Sequence, residues 1–118
     1  MGGKILWTDL TVENAEQIKA FYSQVVGWTP EAASMGDYDD FNMLPSGEKE
    51  PSAGICHARG GNADIPPVWM VYLAVEHLDN ALKQCIALGG TVVKGPKEGG
   101  CSAIIKDPAG AICTLYQE

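Results

Sequence analysis

The chain has 118 residues, of which 46% are hydrophobic and 19% are charged. This length and composition predict one domain that buries an adequate hydrophobic core without the help of disulfides. The net charge is −7 and the eight basic residues are scattered, which excludes a basic stripe for phosphate contacts; we therefore expect no nucleic-acid partner.

The cysteine pattern and the hydropathy of the chain indicate where the protein resides. The four cysteines form no CxxC pair, and no secretory leader is recognised ahead of them. No apolar run approaches the roughly 20 residues that cross a bilayer. We therefore expect a cytoplasmic protein with free thiols and no membrane partner.

The first half of the chain predicts a strand, a helix and three further strands. The helix covers residues 15–26, where Asn14 is placed to cap the amino end with Gln17, and Gly27 suits a left-handed exit. Its apolar face consists of Ala15, Ile18, Phe21, Tyr22 and Val25. The strands are predicted at residues 5–11, 29–34, 37–44 and 53–58.

The second half predicts the same series of elements. Its helix begins near Leu78, has Asp79 in the first turn to complement the helix dipole, and stops at Gly89. The apolar face consists of Leu78, Ala81, Leu82, Cys85 and Leu88. The strands are predicted at residues 68–75, 91–94, 102–106 and 111–116. The last two strands flank the turn 107–110 and form a closing hairpin.

The two halves also resemble each other in sequence. The residues Trp7-Thr8-Asp9-Leu10 match Trp69-Met70-Val71-Tyr72 at an offset of 62 positions, and Gly27 matches Gly89 at the same offset. A period of this size predicts a duplication. We place module one at about residues 1–58, module two at about 68–118, and a flexible linker at about 59–67.

The motifs in these halves resemble a known superfamily. The order strand, helix, three strands occurs twice, with Phe21-Tyr22-x-x-Val25-Val26-Gly27-Trp28 in the first half and Leu88-Gly89-Gly90 and Asp107-Pro108-Ala109-Gly110-Ala111 in the second. This arrangement resembles the vicinal oxygen chelate superfamily, which includes glyoxalase I, bleomycin-resistance proteins and extradiol dioxygenases. The resemblance implies an α+β fold of two βαβββ modules, which form a cupped half-barrel sheet with the helices on its outer face. It also implies a ligand on the concave face, often in a homodimer.

Metal-dependent members of that superfamily bind the ion through His, Gln and Glu on the first and last strands of each module. The resemblance puts Trp7 and either Met70 or Trp69 at the first-strand positions, and Thr114 at the position of the terminal Glu. None of these side chains suits a divalent cation. The fourth position falls in residues 53–58, where His57 remains. We therefore expect neither a metal nor a cofactor.

Five residues are candidates for contact with a ligand. The aromatic side chains of Trp7, Trp69 and Tyr72 suit the wall of a cavity, although core or dimer packing is the alternative for each. His57 either contacts the ligand or is structural. Asp9 follows Trp7 by two residues and shares its side of the strand, where a carboxylate acts as a general base or binds a cationic group. An exposed strand-end carboxylate is the alternative for Asp9.

Several other histidine, aspartate and cysteine side chains are not candidates for a functional site. His77 is expected to be exposed or to cap the second helix, and the acidic residues Asp37, Asp39 and Asp40 are expected in a solvated loop or strand edge. Cys56 and His57 should point to opposite faces of their strand, so the imidazole does not activate the thiol. Cys101 and Cys113 lie on the two arms of the closing hairpin, where a diagonal contact is an option.

Three functions remain open. We favour a small-molecule-binding protein of the bleomycin-resistance type, free of metal and acting by sequestration or sensing. The first alternative is a glyoxalase-like lyase or isomerase, or a dioxygenase, with an atypical site that uses Asp9 or His57. The second is a dimeric accessory module without a working cavity. The ligand and any catalytic residue are not identified at this stage.

Overall fold

The computed structural model describes residues 2–118 and contains two α-helices, a short 3₁₀ helix (Gly60–Asn62) and eight strands within that range. The α-helices are α1 (Ala15–Val26) and α2 (Leu78–Ala87). The strands are β1 (Ile5–Val12), β2 (Thr29–Ser34), β3 (Asp39–Leu44), β4 (Ala53–His57), β5 (Trp69–Val75), β6 (Thr91–Lys94), β7 (Ser102–Lys106) and β8 (Ile112–Gln117). The predicted α+β class and the repeated βαβββ order are confirmed.

The chain forms two compact units. The first unit is Thr8–Trp69, and the second consists of residues 2–7 and Met70–Glu118. In the first unit the strands follow the order β2-β3-β4-β1, with β1 parallel to β4 and the other neighbours antiparallel. In the second unit β6, β7, β8 and β5 follow the same order, with β5 parallel to β8. The duplication predicted from sequence thus holds for the strand pairing within each unit.

The core of the first unit lies where α1 meets its strands. Ala15 and Ile55 are completely buried, and Phe41 and Met43 complete the central cluster. Ile18 and Tyr22 pack against this cluster and are half-buried. The predicted apolar face is wrong for Phe21 and Val25, which are 52% and 64% exposed. The helix therefore presents apolar side chains both to the core and to its outer side.

The core of the second unit is smaller. Leu78 of α2 packs with Ala103 and Leu115, and Leu82 and Cys113 lie at its edge. The predicted apolar face of α2 is correct for Leu78, Ala81 and Leu82 but wrong for Leu88, which is 73% exposed. Leu88 follows the last helical residue, where the backbone has already left the helical path.

The helix ends differ in part from the sequence expectation. Gly27 has φ +86° and donates its N–H to the Ser23 carbonyl, as predicted for a left-handed exit. The predicted cap by Asn14 is wrong, because Asn14 has φ −105° and ψ 49° and its amide donates to the Gln17 side chain at 3.0 Å instead. At α2, Gln117 of β8 accepts the Leu78 N–H at 2.8 Å, so the exposed His77 is not the capping side chain.

The cysteines of the closing hairpin are separated by its register. Ile105 lies opposite Cys113, whereas the carbonyl of Cys101 accepts the N–H of Gln117 at the far end. The register therefore does not bring Cys101 and Cys113 into the diagonal contact that the sequence left as an option. All four cysteines are free thiols.

Neither helix is long and apolar enough to cross a membrane, and the described residues contain no other candidate span.

The end of α2 depends on a close approach at Gly90. An added Cβ would lie 2.6 Å from the Cys85 sulfur and 2.9 Å from the Lys106 carbonyl oxygen. We expect Gly90→Ala to lower the free energy of unfolding by about 1–3 kcal/mol, because this backbone contact does not yield easily. Urea unfolding measures the change.

Gly95→Ala is the matched control, because a Cβ there meets nothing within 4 Å and the residue does not have positive φ. Its unfolding midpoint should stay the same or rise slightly. Equal midpoints for the two variants would contradict the close contact at Gly90.

Candidate functional site

The parallel pairing of β1 with β4 determines which side chains share a face of the sheet in the first unit. Asp9 lies opposite Gly54, and Thr11 lies opposite Cys56. Since paired residues project to the same side of a sheet, the side chains of Asp9, Thr11 and Cys56 share a face. Leu10 lies opposite Ile55, and the alternation directs both toward the core side.

Asp40 is the central polar group of this region. It is 8% exposed and lies at the start of β3, next to the end of β4. Its Oδ1 accepts the backbone N–H of His57 at 2.8 Å and lies 3.3 Å from Nδ1 of the same residue. The predicted solvated position is therefore wrong for Asp40, whereas Asp37 and Asp39 are exposed. We call Asp40, Cys56 and His57 the Asp40 cluster.

The Cys56 thiol belongs to this cluster through its hydrogen bond to Asp40. Burial raises the pKa of Cys56 from its usual 9.0 to about 12, and the negative charges of Asp9 and Asp40 and the hydrogen bond add to the effect. The thiol is therefore protonated at neutral pH and is not a ready nucleophile.

The His57 imidazole is held on three sides. Its side chain is 14% exposed, and its ring lies edge-on to Tyr38 with centroids 5.2 Å apart and tilted against Phe41 at 6.4 Å. With Nδ1–H donated to the Asp40 carboxylate, Nε2 is the nitrogen that accepts a proton. Asp40 therefore contacts both Cys56 and His57, although these neighbours alternate along β4.

Arg59 covers the outer side of this arrangement. Its guanidinium lies 4.1 Å from the centre of the Tyr38 ring and 3.5 Å from Oδ2 of Asp37. Both charged side chains are largely exposed, so the ion pair contributes little by itself. The stacking nevertheless ties the start of the 59–67 segment to the residues that precede β3.

Trp69 lies in an aromatic cluster with α1. Its indole N–H donates to the Tyr22 hydroxyl at 3.2 Å, and its ring meets Tyr22 and Trp28 edge-on at 5.2 and 5.8 Å. Trp69 packs against the core of the first unit, which matches the packing alternative given above. It also borders an open groove on this side of the unit.

The remaining predicted site residues, Trp7 and Tyr72, belong to the second unit. Trp7 is half-buried on β1, and Tyr72 of β5 lies opposite Thr114 of β8. Thr114 is 3% exposed. In the first unit, the charges of Asp9 and Asp40 both raise the pKa of Cys56, and His57 contacts Asp40. Trp69 lies apart from these residues, in the aromatic cluster.

The superfamily's metal site can be tested against these donors. At the positions that the resemblance implies, the first module has the indole of Trp7 and the second has Met70 or Trp69, of which Met70 is 2% exposed. The position of the terminal Glu has the buried hydroxyl of Thr114, and His57 remains at the fourth position. Among residues 2–118 no group of three or more His, Cys, Asp and Glu side chains is arranged to hold an ion. The residues present do not fit the octahedral His, Gln and Glu site.

Sequence reasoning missed the roles of Asp40, Cys56 and Tyr22. Asp40 and His57 are 17 positions apart, and only the register of β3 against β4 brings them together. The available signal was the alternation in β3, since Asp40 and Asn42 flank the buried Phe41 on the opposite face.

The raised pKa of Cys56 has a measurable consequence. The folded state holds the thiol proton more tightly than the unfolded chain, so this contribution to stability is complete below about pH 9 and is lost as the pH rises toward 12. In the native protein, alkylation of Cys56 by iodoacetamide should still accelerate between pH 9 and 11, where an ordinary thiol levels off. Mass spectrometry of the Cys56 peptide gives the rate.

Asp40→Asn should shift this rate profile toward lower pH, because it removes one negative charge beside the thiol. Asp39→Asn is the matched control, since Asp39 is exposed on the same strand and should leave the profile unchanged. A Cys56 rate that levels off near pH 9 in the unaltered protein would contradict the buried, acid-flanked position.

Comparison with known proteins places this arrangement in context. The "Putative glyoxylase CFP32" of Mycobacterium tuberculosis is 29% identical over 118 residues, which cover 98% of this chain and 44% of that protein. The anthracycline biosynthesis protein DnrV of Streptomyces peucetius is 26% identical over 130 residues, which cover 98% of this chain and 47% of that protein. The chain spans less than half the length of these curated relatives.

A solved structure agrees at the level of fold. Methylmalonyl-CoA epimerase from Mycobacterium tuberculosis has a TM-score of 0.55 and 14% identity, over 98% of this chain and 87% of that one. Residues 4–113 also match the family model of the Glyoxalase/Bleomycin resistance protein/Dioxygenase superfamily. With the repeated βαβββ units and a match over most of its length, the chain belongs to the glyoxalase/bleomycin resistance protein/dioxygenase superfamily.

Proposed function

We propose that this protein binds a small molecule without a metal ion and acts by sequestration or sensing. The observation that supports the proposal is the chemistry at the positions where the resemblance puts the metal ligands, since Trp7 and the buried Thr114 are poor ligands for a divalent cation. Aromatic and hydroxyl groups suit contact with an organic ligand better than coordination of an ion. Trp7, Asp9, His57, Trp69 and Tyr72 are the proposed ligand contacts.

The face with Asp9 and Cys56 supports a polar element of recognition. Asp9 affects the Cys56 thiol electrostatically, and Asp40 beside it is also acidic. Two carboxylates close to a thiol that stays protonated favour a ligand group that is cationic or rich in hydrogen-bond donors. Asp9 therefore orients the ligand while the aromatic side chains supply most of the contact area.

A catalytic role is the second candidate, and one contact favours it. Asp40 fixes Nδ1 of His57 at 3.3 Å, which leaves Nε2 as the basic nitrogen of an oriented imidazole. A glyoxalase-like lyase, isomerase or dioxygenase with an atypical site would use His57 or Asp9 as its base. Conversion of a bound compound, detected by mass spectrometry, distinguishes this candidate from binding alone.

We also propose that the protein is a cytoplasmic homodimer that contacts neither nucleic acid nor membrane. The sequence isoelectric point of about 4.6 disfavours contact with polyanions. Near the end of α2, Ile86 is 61% exposed and Leu88, just beyond the helix, is 73% exposed, and a contact between subunits would bury this apolar surface.

Ligand binding should survive removal of metals. A thermal-shift screen of EDTA-treated protein with small aromatics, thiol conjugates and glycopeptide antibiotics should find a ligand that adds about 2.7 kcal/mol of stability at a hundredfold excess over Kd. Trp7→Ala should weaken the binding of that ligand by about 1–3 kcal/mol. Asp9→Asn should change the pH dependence of binding more than the affinity at neutral pH.

Trp28→Ala is the control, because Trp28 packs against the core of the first unit and is not among the proposed contacts. It should lower the urea midpoint and leave affinity unchanged. If Trp7→Ala lowers the free energy of unfolding by about 3–5 kcal/mol and leaves the affinity for the ligand unchanged, Trp7 is a core residue and not a ligand contact. About one tightly bound metal ion per chain before EDTA treatment would overturn the metal-free proposal.

The dimer is tested by sedimentation at micromolar concentration, where the mass should be twice the 12.5 kDa of the chain. Ile86→Lys should shift the equilibrium toward monomer, because a charge buried at an apolar contact is costly. Asn80→Lys adds the same charge to an exposed position of the same helix and should have no effect. A monomer in the unaltered protein would exclude the dimer.

A further inference from the structure

An open apolar groove lies beside α1 in the first unit, and Trp69 is the one proposed ligand contact that borders it. It has a volume of about 230 Å³ and is bordered by Leu10 and Ile18 and by the rings of Phe21, Tyr22 and Trp69. Leu10 projects from β1 to the side opposite Asp9 and Thr11. The groove therefore lies on the helix side of the unit, away from the face with Asp9 and Cys56.

The side chains around the groove select for an uncharged occupant. None of the described residues that border it is acidic or basic, although 19% of the chain is charged. A charged ligand group would lose hydration here without gaining a partner. An apolar molecule would instead exchange water contacts for aliphatic and aromatic ones.

Flat aromatic rings line part of the groove. The Tyr22 ring meets Phe21 at 86° and Trp69 at 79°, with ring centroids 5.1 and 5.2 Å apart. These rings touch one another, so a molecule in the groove would lie against them and meet one ring by its face and the next by its edge, the two geometries that aromatic pairs prefer. The volume is below the 300–1,000 Å³ usual for drug-sized ligands, so one or two fused rings suit it.

The Tyr22 hydroxyl supplies one directional group. Its oxygen accepts the Trp69 indole N–H at 3.2 Å. A phenol has one hydrogen of its own to donate, and accepting a hydrogen bond strengthens that donation. A ligand oxygen with lone pairs, such as a carbonyl, is the complementary group.

We propose that the groove lined by Phe21, Tyr22 and Trp69 binds an uncharged planar aromatic molecule of one or two rings, whose acceptor oxygen takes a hydrogen bond from the Tyr22 hydroxyl. This site goes beyond the proposed function, because it shares only Trp69 with the proposed ligand contacts and uses neither Asp9 nor the Asp40 cluster.

Two probes of the same shape test the hydrogen bond. 2-Acetylnaphthalene carries the acceptor oxygen, and 2-ethylnaphthalene lacks it. Titration is followed by the indole N–H signal of Trp69 in NMR spectra, identified through its loss in Trp69→Phe. The acetyl compound should bind about two- to tenfold more tightly, as expected for one neutral hydrogen bond. Tyr22→Phe, which keeps the ring, should abolish the difference.

A second pair of variants tests the walls. Phe21→Ala should weaken the binding of both probes. Because Phe21 is 52% exposed, its loss should leave the protein folded, and the urea midpoint checks this. Val25→Ala is the matched control: Val25 is exposed on the same helix and does not border the groove. Asp9→Asn should leave both affinities unchanged, so failure of the proposed function does not affect this result.

Three results would overturn the proposal. The first is equal affinity of the two probes for the unaltered protein, or no binding up to their solubility limit. The second is movement of the Trp7 or Trp28 indole signal while that of Trp69 stays in place. The third is a Phe21→Ala variant that dissociates a dimer but binds both probes normally, which would make the groove a protein contact.

Discussion

In each unit the first strand pairs in parallel with the last, and this pairing sets the position of every side chain discussed above. A parallel pair cannot be closed by a tight turn, so the chain must pass through a helix and two antiparallel strands before it returns. In the first unit the register of that return places Cys56 beside Thr11 and Gly54 beside Asp9. A slip of one residue would turn Cys56 toward the core and Ile55 away from it.

The Asp40 cluster shows how a buried charge is accommodated at the end of such a sheet. The ladder between β3 and β4 ends at Phe41 and Ile55, and beyond it the Asp40 carboxylate accepts the N–H of His57 in place of a backbone carbonyl. Hydrogen bonds from donors offset part of the cost of burying the carboxylate. The same carboxylate orients His57 and adds to the effect of burial in raising the pKa of Cys56, so one side chain influences the chemistry of its two neighbours.

The sequence predicted local features well because short-range patterns determine them. The bounds of α1 follow from apolar spacing and from Gly27, and β2, β6 and β7 match their predicted ranges. Features that depend on register were not accessible. Asp40 resembles its exposed neighbours Asp37 and Asp39 along the chain, and only pairing with β4 distinguishes it. A diagonal contact between Cys101 and Cys113 was an option from the sequence, but the hairpin register separates them.

The cap that Gln117 provides to Leu78 links the last strand to a helix that begins 39 positions earlier. Protection of the Leu78 amide against hydrogen exchange therefore depends on β8. Separation of β8 from the start of α2 would expose this amide to solvent, so the contact couples the stability of the two elements. Shortening the chain before Gln117 would expose the first turn of α2 to exchange while leaving the bonds at its far end, between Gln84 and Leu88, in place.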